Sequence, residues 1–138
     1  MVTYVEVAEN VRAVIAAHAH AQDDGRSDDI AALYTADGAL EVPGMGVYEG
    51  TEAIRATWDA WKPQQPQRHI VTNTLVTSWN DQEARATSDV VYVQNGDTGW
   101  SVQIVARYHD TFRNAAGTWL LSRRSEEFVG WTPPAGDA

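Results

Sequence analysis

The sequence predicts an α+β fold, with three N-terminal helices packed on a long, curved, mostly antiparallel sheet that encloses a pocket. Two observations lead there. Helical periodicity is confined to the first half of the chain, whereas the second half holds four extended runs rich in Val, Ile, Thr, Tyr and Trp, divided by turn residues. Helices first and a meander afterwards is the order of an α+β fold, and helices on the concave side of a curved sheet bury both halves. A chain of 138 residues is the size of one domain, taken as 1–138.

Residues 5–23 carry Val7, Val11, Val14, Ile15 and Ala19 near helical spacing, and Gly25 lies just past the end. Ser27 is the expected N-cap of a short second helix over 28–35. Asp28 and Asp29 sit in its first turn, where the helix dipole favours negative charge. Asp37-Gly38 reads as a turn, Ala39–Val42 as a short strand and Met45–Tyr48 as its partner. Thr51 is the expected cap of a third helix over 52–62, with Ile54, Trp58 and Trp61 on one face and Pro63 and Pro66 beyond it. The four long strands are 68–79, 84–94, 99–113 and 118–128, separated by Asn80-Asp81, Asn95-Gly96-Asp97 and Asn114–Gly117.

Strand alternation then assigns faces. Trp100, Val102, Ile104, Ala106, Tyr108 and Phe112 are expected inside, with Ser101, Gln103, Val105, Arg107 and His109 outside. Ala86, Ser88, Val90 and Tyr92 alternate with Arg85, Thr87, Asp89, Val91 and Val93. On the first long strand, His69, Val71, Asn73 and Leu75 are assigned inward. The outer face, with Val91, Val93 and Val105, is more apolar than a wet sheet face. That predicts a homodimer with two sheets back to back.

Composition narrows the function. There is no cysteine, which excludes disulfides, thiolate metal sites and a cysteine nucleophile. Nineteen acidic against ten basic residues give a net charge of −9, a poor match for nucleic acid or an anionic membrane surface. No run is long enough to span a bilayer, and the first residues lack the pattern of a signal peptide; a cytoplasmic protein is the expectation. Six tryptophans and five tyrosines suggest a core or pocket with large flat walls.

The residues that could carry chemistry are few. Arg68-His69-Ile70-Val71-Thr72-Asn73 places His69 and Asn73 on one strand face, roughly 13 Å apart along it. Imidazole titrates near neutrality and can take and return a proton, best with a carboxylate on its second nitrogen. Asp23, at the end of the first helix, is the candidate partner. The plainer alternatives are a satisfied core or strand-edge histidine and a solvated Asp23-Asp24-Gly25 turn. His18 and His20 point roughly 200° apart on a helix and cannot share an ion; His18 could join His69 and Asp23 around a zinc ion, but the histidines lack recognisable ligand spacing, and no metal site and no cofactor are expected. Tyr34, Tyr48, Tyr92, Tyr108, Trp58, Trp61, Trp100 and Trp131 form an aromatic pool. Most would be core, and some could orient a ligand. A phosphate loop and a serine nucleophile elbow are both missing.

The order of several motifs carries a resemblance. They are Asp23-x-Gly25-x-x-Asp28-x-x-Ala31-x-Leu33-Tyr34-x-x-Asp37-Gly38, Gly46-x-Tyr48-x-Gly50-x-x-x-Ile54, Arg68-His69-x-x-x-Asn73, Ala106-Arg107-Tyr108-x-Asp110-x-Phe112-Arg113 and Gly117-x-Trp119-x-x-x-x-Arg124. Over roughly residues 8–125 the chain resembles the SnoaL-like (polyketide cyclase and scytalone dehydratase-like) branch of the nuclear transport factor 2-like superfamily. The resemblance implies a cone-shaped fold with a deep pocket. It also implies a His–Asp dyad of the dehydratase and dehydrochlorinase kind, which falls on His69 and Asp23. Two departures stand out: Gln22 replaces a pocket tyrosine, and there is no second histidine around Val105. Phe128–Pro134 resembles a pocket-closing tail.

The expected function is a cofactor-independent lyase, isomerase or cyclase acting on a hydrophobic cyclic or polyketide-like molecule. His69 would abstract a proton, held by Asp23. Asn73, Tyr34, Tyr108 and Tyr92 would orient the substrate between walls of Trp58, Trp61 and Trp131. The alternative is a non-catalytic ligand-binding module of the same fold, and a third reading is a scaffold whose cone is filled with aromatics.

Overall fold

In the computed structural model, which describes residues 1–131 (of Trp131, the backbone alone), the elements follow the predicted order. They are α1 (Tyr4–Asp23), α2 (Ser27–Ala31), β1 (Tyr34–Val42), β2 (Gly46–Glu49), α3 (Thr51–Ala60), β3 (Gln67–Trp79), β4 (Glu83–Gly96), β5 (Gly99–Ala115) and β6 (Thr118–Trp131). The sheet order is β2-β1-β6-β5-β4-β3. All neighbours are antiparallel except β1 and β6, which run parallel. The sheet is curved and does not close.

The helix starts differ from expectation in instructive ways. Thr3 and Glu6 form a reciprocal capping box ahead of α1. Ser27 is the first residue of α2 rather than its cap, and α2 ends at Ala31. Tyr34 already belongs to β1, and Asp37-Gly38 is a bulge within that strand instead of a turn before it. Gly50, at φ 89°, caps α3 in place of Thr51, a conformation a side chain would resist.

The core lies between the helices and the concave face of the sheet. Val7, Val11, Ile15, Ile30, Ile54, Phe112 and Leu121 are buried there. Beside it, Arg124 forms a bidentate pair with Asp110 at 2.8 and 2.9 Å and lays its guanidinium 3.8 Å over the Tyr108 ring. Both members of this pair are out of solvent.

Bulges rather than simple alternation decide the faces. On β4 the expected inward set holds: Ala86, Ser88 and Val90 are buried and Tyr92 partly so. On β3 the alternation breaks at Asn73, which has φ 55°, and the register to β4 shifts between Thr72 and Leu75. His69 and Val71 face inward, but beyond the bulge Thr74 and Val76 take over, and Leu75 is 59% exposed. On β5 the register shifts where Tyr92 pairs Ile104 but Val93 pairs Val102, leaving Gln103 as an additional residue. That reverses the parity at the start of the strand. Trp100 and Val102, assigned inside from alternation, go to the outer face and are 55% and 48% exposed.

Candidate functional site

The cavity forms because α1, α2 and α3 cover the concave sheet without filling it. Its volume is about 420 Å³, and every strand except β2 contributes to its wall. One wall is formed by Trp58 and Trp61, edge-to-face at 5.1 Å; away from the lining, Trp58 meets buried His18 at 5.5 Å and Trp61 meets Tyr48 at 5.8 Å, also edge-to-face. Ile104 and Phe128 add apolar surface on the sheet side.

His69 enters this cavity from the start of β3. Its Nδ1 lies 2.7 Å from Asp23 Oδ1, and its backbone N–H donates to Asp23 Oδ2 at 3.0 Å. Gln67 donates to the same carboxylate at 3.3 Å. Asp23 reaches there because it is the last residue of α1, where Gly25 turns the chain away in the left-handed region. The side chains of His69 and Asp23 are 13% and 6% exposed. Burial pushes the Asp23 carboxyl upward, but the hydrogen bonds from the His69 ring and backbone outweigh it and hold the group below its ordinary value. An ionised carboxylate is acceptor-only. It therefore places the His69 proton on Nδ1 and leaves the Nε2 lone pair for a proton.

Behind the base runs a chain of hydrogen bonds. Gln22 Nε2 is 3.3 Å from His69 Nε2, Gln22 Oε1 is 2.7 Å from His18 Nδ1, and His18 Nε2 is 2.9 Å from the Tyr34 hydroxyl. One assignment satisfies all of them: Tyr34 O–H donates to His18, His18 to Gln22, Gln22 to His69, and His69 to Asp23. Burial first, and the Arg124 charge second, lower the His18 pKa well below its ordinary value, so His18 is neutral in this chain. Tyr92 stacks on His69 at 4.6 Å between centroids and donates its hydroxyl to Gln67 at 2.9 Å.

The predicted site residues divide. His69, Asp23, Tyr92, Trp58 and Trp61 come together around the cavity or directly behind it. Tyr34 and Tyr108 do not line it; they are 4% and 1% exposed and belong to the core, Tyr34 bound to His18 and Tyr108 beneath Arg124. Asn73 is turned out by its bulge and donates to Asp89 at 3.0 Å, next to the Arg107–Asp89 pair at 2.8 Å. It borders a separate groove between α1 and β3, which also reaches His69. The backbone of Trp131 pairs with Ile104; its side chain and residues 132–138 lie outside the described residues. Sequence reasoning did not assign a role to Gln22, Gln67 or Glu126. Glu126 is brought inside by a second register shift, between Thr111 and Phe112 on β5 opposite β6. Among the described residues no group of three or more His, Asp and Glu side chains is placed to hold a metal, and no helix is long and apolar enough to cross a membrane.

Residues 3–125 match the model of the SnoaL-like domain family. The chain belongs to that family. No curated protein matches its sequence. Several solved structures resemble it in fold. A protein of unknown function from Mycobacterium tuberculosis superposes with a TM-score of 0.84 at 23% identity, covering 91% of this chain and 72% of that one. LinA superposes at 0.82 with 21% identity, covering 96% and 92%. A scytalone dehydratase-like protein from Novosphingobium aromaticivorans gives 0.77 at 18% identity, covering 94% and 93%.

Proposed function

We propose that this SnoaL-like protein is a cofactor-independent lyase, isomerase or cyclase that abstracts a proton from a small, hydrophobic, cyclic or polyketide-like molecule. The observation that carries the reading is the His69–Asp23 hydrogen bond of 2.7 Å at a cavity wall. The Asp23 carboxylate fixes the tautomer and stabilises the imidazolium formed when Nε2 takes the proton, while the aromatic walls exclude water around the reacting carbon. Gln22 must yield its contact with Nε2 when substrate arrives. The likeness to LinA and to a scytalone dehydratase-like protein supports elimination as the step.

The test uses 5-nitro-1,2-benzisoxazole, a compact aromatic probe that opens to a coloured phenolate once a base removes its ring proton. Saturable turnover that His69→Ala abolishes supports the reading. Binding of the probe with no His69-dependent turnover favours the alternative, a ligand-binding module.

A homodimer through the outer sheet face is the second part of the proposal. Register aligns Ile70, Val91 and Val105 in one row across β3, β4 and β5, and the β5 bulge adds Val102 beside Val93. Ile70 is 51% exposed. An apolar row of this kind is self-complementary about a two-fold axis.

A further inference from the structure

Glu126 is the acidic side chain among the described residues that line the His69 cavity. It projects from β6, where it pairs with Tyr108 on β5, and its companions in the wall include Trp58, Ile104 and Phe128. Among the described residues its carboxyl accepts no side-chain hydrogen bond. The neighbouring cation, Arg124, is already committed to Asp110 through two bonds. The other charged side chain of that lining apart from His69, Lys62, is paired with Asp59 at 2.9 Å, so Glu126 shares the void with a base and has no dedicated counter-ion among the described residues.

We propose that Glu126 donates a proton to the departing oxygen of the substrate, and that the substrate class is therefore a β-hydroxy carbonyl compound or its cyclic equivalent, from which water is eliminated. This rests on the reading of His69 as the base. His69 Nε2 takes the proton from the carbon next to the carbonyl, and the C–H electrons form the new C=C bond. The C–O bond breaks with its electron pair going to oxygen, the Glu126 proton joins that oxygen, and water leaves. The imidazolium then returns its proton to the Glu126 carboxylate through that water, so both groups are restored and nothing is oxidised or reduced. A halide departs as a stable anion and needs no donor. A hydroxyl does need one, and a largely buried carboxylic acid on the cavity wall supplies it.

The surroundings keep the acid protonated. Burial, with a smaller contribution from Asp110, raises the Glu126 carboxyl to about 7 against the downward pull of Arg124. The other titratable groups that feel it, Tyr34 and Tyr108, are raised by their own burial and stay neutral.

The experiment compares wild type, Glu126→Gln and His69→Ala on 1,2-benzisoxazole and its 5-nitro derivative. The two differ in how strongly the leaving phenolate oxygen needs a proton. For Glu126→Gln we expect kcat/KM to fall about 10²-fold on the parent compound and less than about threefold on the nitro compound. An equal loss on both, or no loss on either, overturns the assignment, and the nitro arm reports that the site is still folded. Absence of His69-dependent turnover on both compounds is instead a failure of the base reading. Carboxyl-carbon NMR of glutamate-labelled protein, with Glu126→Gln for assignment, decides the acid independently of turnover. A Glu126 carboxyl fully ionised at pH 6 overturns the proposal.

Discussion

His69 is bonded to Asp23 twice, once through its ring at 2.7 Å and once through its own backbone N–H at 3.0 Å. The carboxylate that orients the ring also anchors the strand that carries it. Replacing Asp23 by Asn offers the ring an amide that need not accept, and frees the Nδ1 proton from its partner. We expect Asp23→Asn and His69→Ala each to lower turnover of the benzisoxazole probe by about 10²–10⁴-fold. The double variant should lose little more than His69→Ala alone, because the two act as a unit. Additive losses in kcat would separate them.

The buried pair Arg124–Asp110 predicts a large stability effect. Removing one partner leaves an uncompensated charge beneath the cavity, so Asp110→Asn should cost about 3–5 kcal/mol in urea denaturation. Arg124→Met with Asp110→Leu should recover most of that loss, since the desolvation of both charges disappears together. A double variant as unstable as the single one would point to the guanidinium–Tyr108 contact instead.

The pH dependence of stability follows from two buried groups of opposite sign. His18 is held neutral below its ordinary value of 6.5. Below that pH the unfolded chain takes up a proton there that the folded chain refuses, so stability falls as pH drops. Glu126 is raised from 4.5 to about 7; between those values the folded chain holds the additional proton, so stability falls as pH rises. Asp23, lowered from 3.8, loses its contribution only at more acid pH. The two slopes oppose each other between pH 4.5 and 6.5. Wild type should therefore differ little between pH 5 and 6.5 in denaturant melts. Glu126→Gln should be clearly less stable at pH 5 than at pH 6.5.

For the outer face, Val93→Asp together with Val105→Asp should convert a dimer to a monomer in sedimentation while leaving probe turnover within about twofold. The net charge of −9 opposes pairing, but rim charges are screened within about 8 Å at physiological salt. Wild type sedimenting as a monomer at tens-of-micromolar concentration would remove the dimer.

Much of this architecture was legible in the sequence, because helical periodicity, turn residues and long β-branched runs act locally. The inward faces of His69 and Tyr92 were legible because both precede the irregularities of their strands, and Trp58 and Trp61 because they share a helix face; the pairing of His69 with Asp23 was suggested by the family resemblance, not by periodicity. The misplacements on β3 and β5 share one cause. Asn73, Trp100 and Val102 follow alternation only if the strands are regular, and a single additional residue inverts every assignment beyond it. Glu126 was hidden by that effect on β6. Tyr34 and Tyr108 were misjudged for another reason. A tyrosine that bonds His18 and one that lies beneath a guanidinium look alike from sequence, since their partners are distant in the chain.

The additional residue at Gln103 has a historical side. On its two sides the parity of β5 is opposite, with Trp100 and Val102 facing out but Ile104, Ala106 and Tyr108 facing in, so the two surfaces of one strand are phased by a single codon. Substitutions can retune either surface without disturbing the other. Loss of that one codon would make the ladder to β4 regular and leave Trp100 and Val102 on the outer face, removing only the local bend that the bulge imposes.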